Sequence, residues 1–346
     1  MDSKLIDTIR KENYPLHIYK AFNNNPDSIK VATQLIPVIS NIYRYIEPSH
    51  LNGLLVIFKR LSNSELIPRK NSSLIYNMDD LSHINTDTII IESTDEGTIY
   101  LWKSVEHINF LEDENTIFYV YQNLEEYFYA NKTRIEIPHN FECASIYALH
   151  YPELNRALEQ YKTDRIANSS CLIFQECWND SKRLFFKAAP EAQMQKSLKE
   201  FLSSKFRGVE IVREYNLNAS KPVDIRIKWT EANKDALIEL KWMGKSISSK
   251  NNITNYEDSR ANGGAIQLKE YLDFKNTDSP NIISKAYLVV IDGRRNNLNK
   301  KIQNISISDG LFFENVEIKF DEENKFFERM KNFEIPIRIF AKPIYS

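Results

Sequence analysis

The sequence predicts an α/β (α+β) protein in two parts: an α+β N-terminal domain and a C-terminal domain with an αβββαβ core. Three observations predict this. Apolar and polar residues alternate in several segments of both halves, which is typical of strands. Apolar residues at helical spacing mark the segments between them, and 346 residues are enough for two separate cores. We place the boundary between residues 1–170 and 171–346.

Composition excludes some classes of protein. A hydrophobic content of 42% and a charged content of 27% are ordinary for a folded globular chain. The sequence has no apolar run of about 20 residues and no apolar signal-peptide core, so we expect no membrane association. Three cysteines, Cys143, Cys171 and Cys177, make neither an even disulfide set nor a zinc quartet. A reducing cytoplasm fits this usage.

The N-terminal half reads as helices followed by strands. Residues 1–50 are predicted to be largely helical, with Pro37 marking a break or kink, and residues 51–61 are predicted to form a strand. A hairpin is predicted over residues 86–102, with further strands over 115–137 and a helix over 141–165. This half contains no motif that assigns a function, and a sensor, docking or regulatory role is left open.

The C-terminal half begins with helices. Residues 166–190 are expected to form a packed connecting helix, and proline suits the first turn of the helix that starts at Pro190. The apolar stripe of that helix contains Met194, Leu198, Phe201 and Leu202. Glu191 faces this side together with Gln195, whereas Glu200 faces solvent. A strand follows after Gly208.

The segment Lys221–Trp242 organises this half, because it reads as two strands joined by a polar turn at residues 230–235. Period-2 alternation puts Ile225, Ile227 and Trp229 on one face and Asp224 on the other. The second strand then presents Glu239 and Lys241 on the face of Asp224.

Gathering two carboxylates and an ammonium on one face costs free energy unless a further partner is bound. Like charges repel, and burial raises the pKa values of carboxylates. A hard divalent cation removes that cost, since Mg²⁺ binds carboxylate oxygens and keeps several waters.

Residues 245–264 read as a polar loop, and Gly263 and Gly264 are expected to precede a helix. Gln267 and Tyr271, four residues apart, share one face of that helix. A buried strand over residues 285–292 follows, and after Gly293 comes the pair Arg294-Arg295.

Together these residues resemble the PD-(D/E)XK, or restriction-endonuclease-like, nuclease superfamily. The motif stands here as Pro222-Val223-Asp224, a gap of fourteen residues, then Glu239-Leu240-Lys241. Val223 interrupts the usual Pro-Asp pair. Gln267 and Tyr271 resemble the Gln-x-x-x-Tyr element of the RecB-like branch. The resemblance covers roughly residues 185–295.

The resemblance implies a Mg²⁺- or Mn²⁺-dependent nuclease, most often a DNA endonuclease in a bacterial antiphage or restriction system. Its metal ligands would be Asp224, Glu239 and the Leu240 carbonyl, with Glu191, or alternatively Glu200, completing the shell. Lys241 would act in catalysis, with Gln267 and Tyr271 positioning it or the scissile strand. The rival interpretation is a catalytically inactive nuclease fold that serves as a binding or scaffold subunit of a larger defence complex.

Charge and histidine content favour the same half for this chemistry. Residues 1–180 carry 16 Lys+Arg against 25 Asp+Glu, a net charge of −9, whereas residues 181–346 carry 29 against 22, a net charge of +7. The basic half suits a nucleic-acid partner, with DNA preferred to RNA and Lys245, Arg294 and Arg295 expected to contact backbone phosphates. The acidic half suits a protein partner, and homo-oligomerisation is left open.

All six histidines lie within residues 1–150, so hydrolysis in the C-terminal half must rely on carboxylates, lysine and metal.

Overall fold

A computed structural model gives the fold. It describes residues 13–47, 53–62, 68–84, 86, 88–104, 113–122, 125–137, 150–206, 209–216, 222–229 and 232–345. The chain divides into two compact units, Met1–Leu149 and His150–Ser346. Each unit contains helices and its own mixed sheet, which confirms the α/β (α+β) class.

The first unit consists of two helices and a seven-stranded sheet. Its helices are α1 (Tyr14–Ala21) and α2 (Pro26–Ile42). Its strands are β1 (Leu54–Arg60), β2 (Ser73–Ile75), β3 (Thr88–Ser93), β4 (Ile99–Trp102), β5 (Thr116–Gln122), β6 (Glu125–Ala130) and β7 (Thr133–Ile137). Short 3₁₀ turns lie at Arg69–Asn71 and Met78–His83.

The sheet of the first unit has the order β2-β4-β3-β1-β5-β6-β7, with only the β1–β3 pair parallel among the strands described. The buried faces of α1 and α2 pack on one side of it. The strands expected over residues 51–61, 86–102 and 115–137 are confirmed, with Gly97 at φ +80° in the β3–β4 turn. Helix α2 continues past Pro37 to Ile42, so this proline does not end the helix.

The second unit places helices on both faces of another seven-stranded sheet. Its helices are α3 (His150–Tyr161), α4 (Leu172–Gln175), α5 (Glu191–Lys205), α6 (Ser259–Asp278), α7 (Ile307–Leu311) and α8 (Phe326–Arg329). Its strands are β8 (Phe186–Lys187), β9 (Val209–Asn216), β10 (Pro222–Trp229), β11 (Lys234–Ile247), β12 (Ile253–Tyr256), β13 (Ile283–Gly293) and β14 (Ile337–Phe340). A π-helical turn lies at Lys162–Ile166 and a 3₁₀ turn at Glu322–Asn324.

The sheet of the second unit is built around β11, in the order β14-β13-β11-β10-β9. Strand β10 pairs antiparallel with β9 and β11, whereas β11, β13 and β14 run parallel. Helix α6 makes the crossover that two parallel strands require. The succession α5–β9–β10–β11–α6–β13 is the expected αβββαβ order, interrupted by β12, which pairs with the end of β11.

A buried ion network fixes β11 near its start. Asp235 is fully buried, and its carboxylate lies 2.8 Å from Arg226 and 3.1 Å from Lys275. It also accepts a 2.5 Å hydrogen bond from the Ser284 hydroxyl. The sequence suggested that residues 230–235 form a polar turn, whereas the strand has already begun at Lys234. A buried charge needs such partners, and these ones tie β11 to β10, α6 and β13.

The boundary between the units lies earlier than the sequence suggested. Helix α3 was assigned to the N-terminal domain, but its apolar face packs into the core of the second unit. The Tyr151 hydroxyl donates to the Asp235 carbonyl at 3.1 Å, and the Tyr161 hydroxyl donates to the Ser197 hydroxyl at 2.9 Å. His150 therefore belongs to the second unit, where its ring lies 5.1 Å from that of Trp229.

Other expectations need correction or lie outside the described part of the chain. Residues 166–190 begin at the end of the π-helical turn and contain the four-residue helix α4 and the two-residue strand β8, rather than one connecting helix. Residues 245–264 are not a loop, because β11 runs to Ile247, β12 pairs with it and α6 starts at Ser259. Residues 141–149 and Cys143 lie outside the described residues. Among those described, the helices are too short or too polar to cross a bilayer.

Candidate functional site

The candidate site lies where β10 separates from β11. Their ladder ends at the pair Ile225–Ile238, so Asp224 and Glu239 are no longer joined by strand pairing. The alternation of side chains also breaks here. Val223 packs with Leu237 in the cluster beneath α6, whereas Ile225 packs into the cluster on the other face of the sheet. Asp224 therefore sits in the opening between the two strands.

The carboxylate of Asp224 replaces part of the missing ladder. Its Oδ2 accepts a 2.7 Å hydrogen bond from the Leu240 backbone N–H. Its Oδ1 accepts a 2.7 Å hydrogen bond from Nε2 of Gln195 on α5. In an antiparallel strand the N–H and C=O of one residue point to the same edge, so the Leu240 carbonyl faces the same opening.

Glu239 and Lys241 complete the group of three charges. Glu239 is fully buried, and its Oε1 lies 2.5 Å from the Lys241 ammonium. Its second oxygen, Oε2, is buried and finds no hydrogen-bond partner among the described residues. The site thus contains one ion pair and one carboxylate oxygen that is left unsatisfied.

Side chains of helix α6 fix the position of Lys241 through hydrogen bonds. The Lys241 ammonium donates to Oε1 of Gln267 at 3.4 Å, and Nε2 of Gln267 donates to the Tyr271 hydroxyl. The Tyr271 hydroxyl in turn donates to the Pro222 carbonyl at 2.8 Å. This chain of hydrogen bonds runs from Lys241 back to the strand that carries Asp224.

Gly264 lets α6 come close to Lys241. A Cβ added at Gly264 would lie 2.8 Å from Cγ of Lys241 and 2.8 Å from Cδ1 of Leu288. The sequence suggested that Gly263 and Gly264 stand before the helix, but both lie inside it. Packing against β11 and β13 explains the glycine at 264, whereas a Cβ added at Gly263 would meet nothing within 4 Å.

Helix α5 carries the third candidate carboxylate. Glu191 lies close enough to the site for its negative charge to add to the raised pKa values of Asp224 and Glu239. Its Oε1 is bound by the Arg260 guanidinium from the first turn of α6. Glu200 is exposed on the same helix, so the structure favours Glu191 over Glu200, as the helical facing predicted.

Burial dominates the electrostatics of the pair. Desolvation raises the pKa of Asp224 to about 6, although the Leu240 N–H and the Lys241 charge oppose the shift. Desolvation, together with the charge of Asp224, raises the pKa of Glu239 to about 8, although Lys241 opposes it. Desolvation also raises the pKa of Tyr271 to about 12, so this hydroxyl stays protonated and donates.

These residues fit a hard divalent cation. In the part of the chain that the structure describes, no three His, Cys, Asp or Glu side chains are grouped so as to hold a metal ion. Mg²⁺, however, commonly binds one or two carboxylates and keeps several waters. Asp224, Glu239 and the Leu240 carbonyl supply such a set, and the unsatisfied Glu239 Oε2 is an oxygen that a cation would satisfy.

Comparison with known proteins does not assign the chain to a family. No protein-family model, curated protein or solved structure matches it. The interpretation of the site therefore rests on the geometry of its residues.

The three residues predicted to bind phosphate make contacts within the protein. Arg294 is buried, and its guanidinium lies 2.8 Å from Asp292 and 2.9 Å from Asp258. Arg295 is buried too, with NH1 donating to the Arg294 carbonyl at 2.8 Å, and burial lowers its pKa to about 10. Lys245 donates to the Leu298 carbonyl at 2.5 Å. Arg294 is thus neutralised by two carboxylates, whereas Lys245 and Arg295 donate to backbone carbonyls, and all three residues line one pocket. Their contact with nucleic acid stays a prediction.

Sequence reasoning missed two residues of the site. Gln195 was seen only as a neighbour of Glu191 on the helix face, yet it contacts Asp224 directly. Arg260 was not singled out, because it lay in a segment read as a loop. The signal for Arg260 was its helical spacing to Gln267, seven residues or about two turns later on the same face of α6.

Proposed function

We propose that this protein is a metal-dependent phosphodiesterase that cleaves nucleic acid, with DNA preferred to RNA. The observation that carries the proposal is the convergence of Asp224, Glu239 and Lys241 at the opening of the β10–β11 ladder, with one buried carboxylate oxygen of Glu239 unsatisfied. The proposal places the enzyme in the cytoplasm of a bacterium, as an endonuclease of an antiphage or restriction system.

Asp224, Glu239 and the Leu240 carbonyl would hold Mg²⁺ or Mn²⁺. When bound, such an ion supplies a nucleophile from water at neutral pH and neutralises charge that develops on the phosphoryl group. The Asp224 carboxylate is already oriented by Gln195 and by the Leu240 N–H. Both acids must be ionised to bind the ion, so a cation lowers the pKa values that burial has raised.

Lys241 supplies the positive charge of the site. Its ammonium is held by Glu239 and Gln267, and Tyr271 fixes Gln267. If Glu239 bound a cation, the Lys241 ammonium would no longer be paired with it and could orient a water molecule or stabilise a phosphate oxygen. Gln267 and Tyr271 act as positioning residues, because they contact Lys241 or one another.

The net charge of +7 over residues 181–346 supports a polyanionic partner, and Lys245 and Arg295, which line one pocket with Arg294, remain candidates for the contacts. Residues 1–149, the first unit, carry 13 Lys+Arg against 20 Asp+Glu, and this net charge of −7 supports a protein partner that docks on that unit. Salt-dependent association would be the sign of either contact.

A second candidate function is a nuclease-like module that binds without cutting. The Lys241–Glu239 ion pair favours it, since the ammonium occupies the Glu239 oxygen that a cation would otherwise share. In that case the three charged residues would stabilise the fold or contact a partner, and divalent cations would have no effect.

The deciding experiment incubates the full chain with Mg²⁺ or Mn²⁺ and supercoiled plasmid, single-stranded DNA or RNA. We expect cleavage of DNA that stops with EDTA and falls at least about a hundredfold in Glu239→Gln and in Lys241→Met. Glu200→Gln is the matched control, because Glu200 is exposed on α5. Cleavage that persists in both site variants, or that needs no divalent cation, would refute the proposal.

A further inference from the structure

Gln195 has an unusual environment for a neutral side chain. It is 6% exposed, and its Nε2 donates to Oδ1 of Asp224 at 2.7 Å. A carboxylate accepts hydrogen bonds and does not donate them, so this contact fixes which end of the amide faces Asp224. The other end, Oε1, is buried and has no hydrogen-bond partner in the described chain.

Two buried acceptors of the site lack a hydrogen-bond partner among the described residues. One is Oε1 of Gln195, whose Nε2 holds Asp224, and the other is Oε2 of Glu239, whose Oε1 is paired with Lys241. A buried acceptor without a partner destabilises the folded protein, because it has lost its hydrogen bonds to water. Two buried oxygens that lack donors, in a site that also holds the Asp224 carboxylate, suit a hard cation, because such a cation binds amide and carboxylate oxygens alike.

Glu191 is more exposed than Gln195 and already has a partner. Its side chain is 37% exposed, and its carboxylate is already paired with Arg260. Using Glu191 as a ligand would break that ion pair, whereas using Gln195 breaks nothing and satisfies an acceptor. The two residues lie one helical turn apart on α5, so the helix can present either of them.

We propose that Gln195, rather than Glu191, is the residue of α5 that binds the divalent cation, through its Oε1, while its Nε2 holds Asp224 in place. The proposal rests on the metal dependence of the proposed function. Glu191 then serves to anchor Arg260 at the start of α6 and is not a ligand.

The test measures Mn²⁺ binding to the full chain by calorimetry at pH 8 with nucleic acid absent, so that it does not depend on cleavage. Gln195→Met keeps the length of the side chain and removes both polar atoms, and we expect at least about tenfold weaker binding. Gln195→Glu removes the donor but keeps an oxygen and adds charge, and we expect binding at least as tight as in the wild type. Gln175→Met is the matched control, because Gln175 is exposed on α4, and we expect no change.

Three results would overturn the inference. Unchanged binding in Gln195→Met would show that Gln195 is not a ligand. Equal weakening in Gln195→Met and Gln195→Glu would show that only the donated hydrogen bond matters. Greater weakening in Glu191→Gln than in Gln195→Met would return the ligand role to Glu191.

The outcomes separate this inference from the proposed function. Mn²⁺ binding that depends on Gln195 in a protein that cleaves no nucleic acid would uphold the inference and refute the function. Mn²⁺-dependent cleavage with unchanged binding in Gln195→Met would do the reverse, and a wild type that binds no Mn²⁺ would refute both. Thermal unfolding of each variant checks the fold, and Gln195→Asn, whose shorter amide withdraws the oxygen, replaces Gln195→Met if that variant unfolds.

Discussion

Replacing Glu239 by Gln should remove a pH-dependent cost of folding. The pKa of Glu239 is raised from an ordinary value of 4.5 to about 8, chiefly by burial. Between those pH values the folded protein binds a proton that the unfolded chain has lost, so stability falls as pH rises. The substituted amide does not titrate, whereas Asp224 titrates in both proteins and largely cancels from the comparison.

The magnitude follows from the width of that window. Each pH unit within it changes the free energy of unfolding by about 1.4 kcal/mol, and pH 5 to pH 8 lies almost wholly inside it. The stability of Glu239→Gln relative to the wild type should therefore rise by about 3.5 kcal/mol from pH 5 to pH 8 in metal-free buffer. Urea unfolding followed by circular dichroism, with EDTA present, measures the difference at each pH.

Glu200→Gln controls for the loss of a carboxylate from the surface, since Glu200 is exposed on α5. Its stability relative to the wild type should not vary with pH over this range. A flat difference for Glu239→Gln would refute the reasoning, because it would mean that Glu239 is ionised in the folded protein throughout. A difference of the opposite sign would mean that Lys241 stabilises the charge more than burial destabilises it.

Further predictions concern metal binding and packing. Because Glu239 must lose a proton to bind a cation, Mn²⁺ affinity should fall about tenfold from pH 7.5 to pH 6.5 by calorimetry, and a flat profile would exclude Glu239 as a ligand. Gly264→Ala should cost about 1–3 kcal/mol in urea unfolding and displace Lys241, whereas Gly263→Ala, whose added Cβ meets nothing within 4 Å, should stabilise α6 by about 0.5–1 kcal/mol. Equal effects of the two changes would contradict the described approach of α6 to β11. Asp235→Ala should cost about 3–5 kcal/mol, because it leaves two buried cations without their acid, and a loss below about 1 kcal/mol would show that water replaces the carboxylate.

Much of the second unit could be predicted because its strands carry a regular pattern. The faces assigned to Ile225 and Ile227 hold, as does the burial of Met194 and Leu198 on α5. That Gln267 and Tyr271 share one face of α6 also followed from spacing, because i and i+4 residues lie on the same face of a helix, and the two side chains are hydrogen-bonded. These features depend on periodicities of 2.0 and 3.6 residues, which can be read from the order of apolar and polar residues in the sequence. The contact of Gln267 with Lys241 was implied only by the resemblance.

The rest depends on contacts that periodicity does not encode. Asp224 leaves the regular alternation because β10 separates from β11, and the partner that holds it there comes from α5, 29 residues earlier in the chain. Helix α3 has an ordinary amphipathic pattern, which does not say which of two cores it joins. Arg294 was read as a free cation although Asp292 stands two residues before it, and only the fold shows that the two residues pair.

Anomalous diffraction from a crystal of the full chain soaked in Mn²⁺ would show whether Asp224 and Glu239 bind a divalent cation at the opening of the β10–β11 ladder. We expect a Mn²⁺ peak within about 2.0–2.6 Å of oxygens from both carboxylates, with the Lys241 ammonium moved away from Glu239. A crystal with no peak at these two residues, and with the Lys241–Glu239 pair intact at a saturating Mn²⁺ concentration, would contradict this expectation.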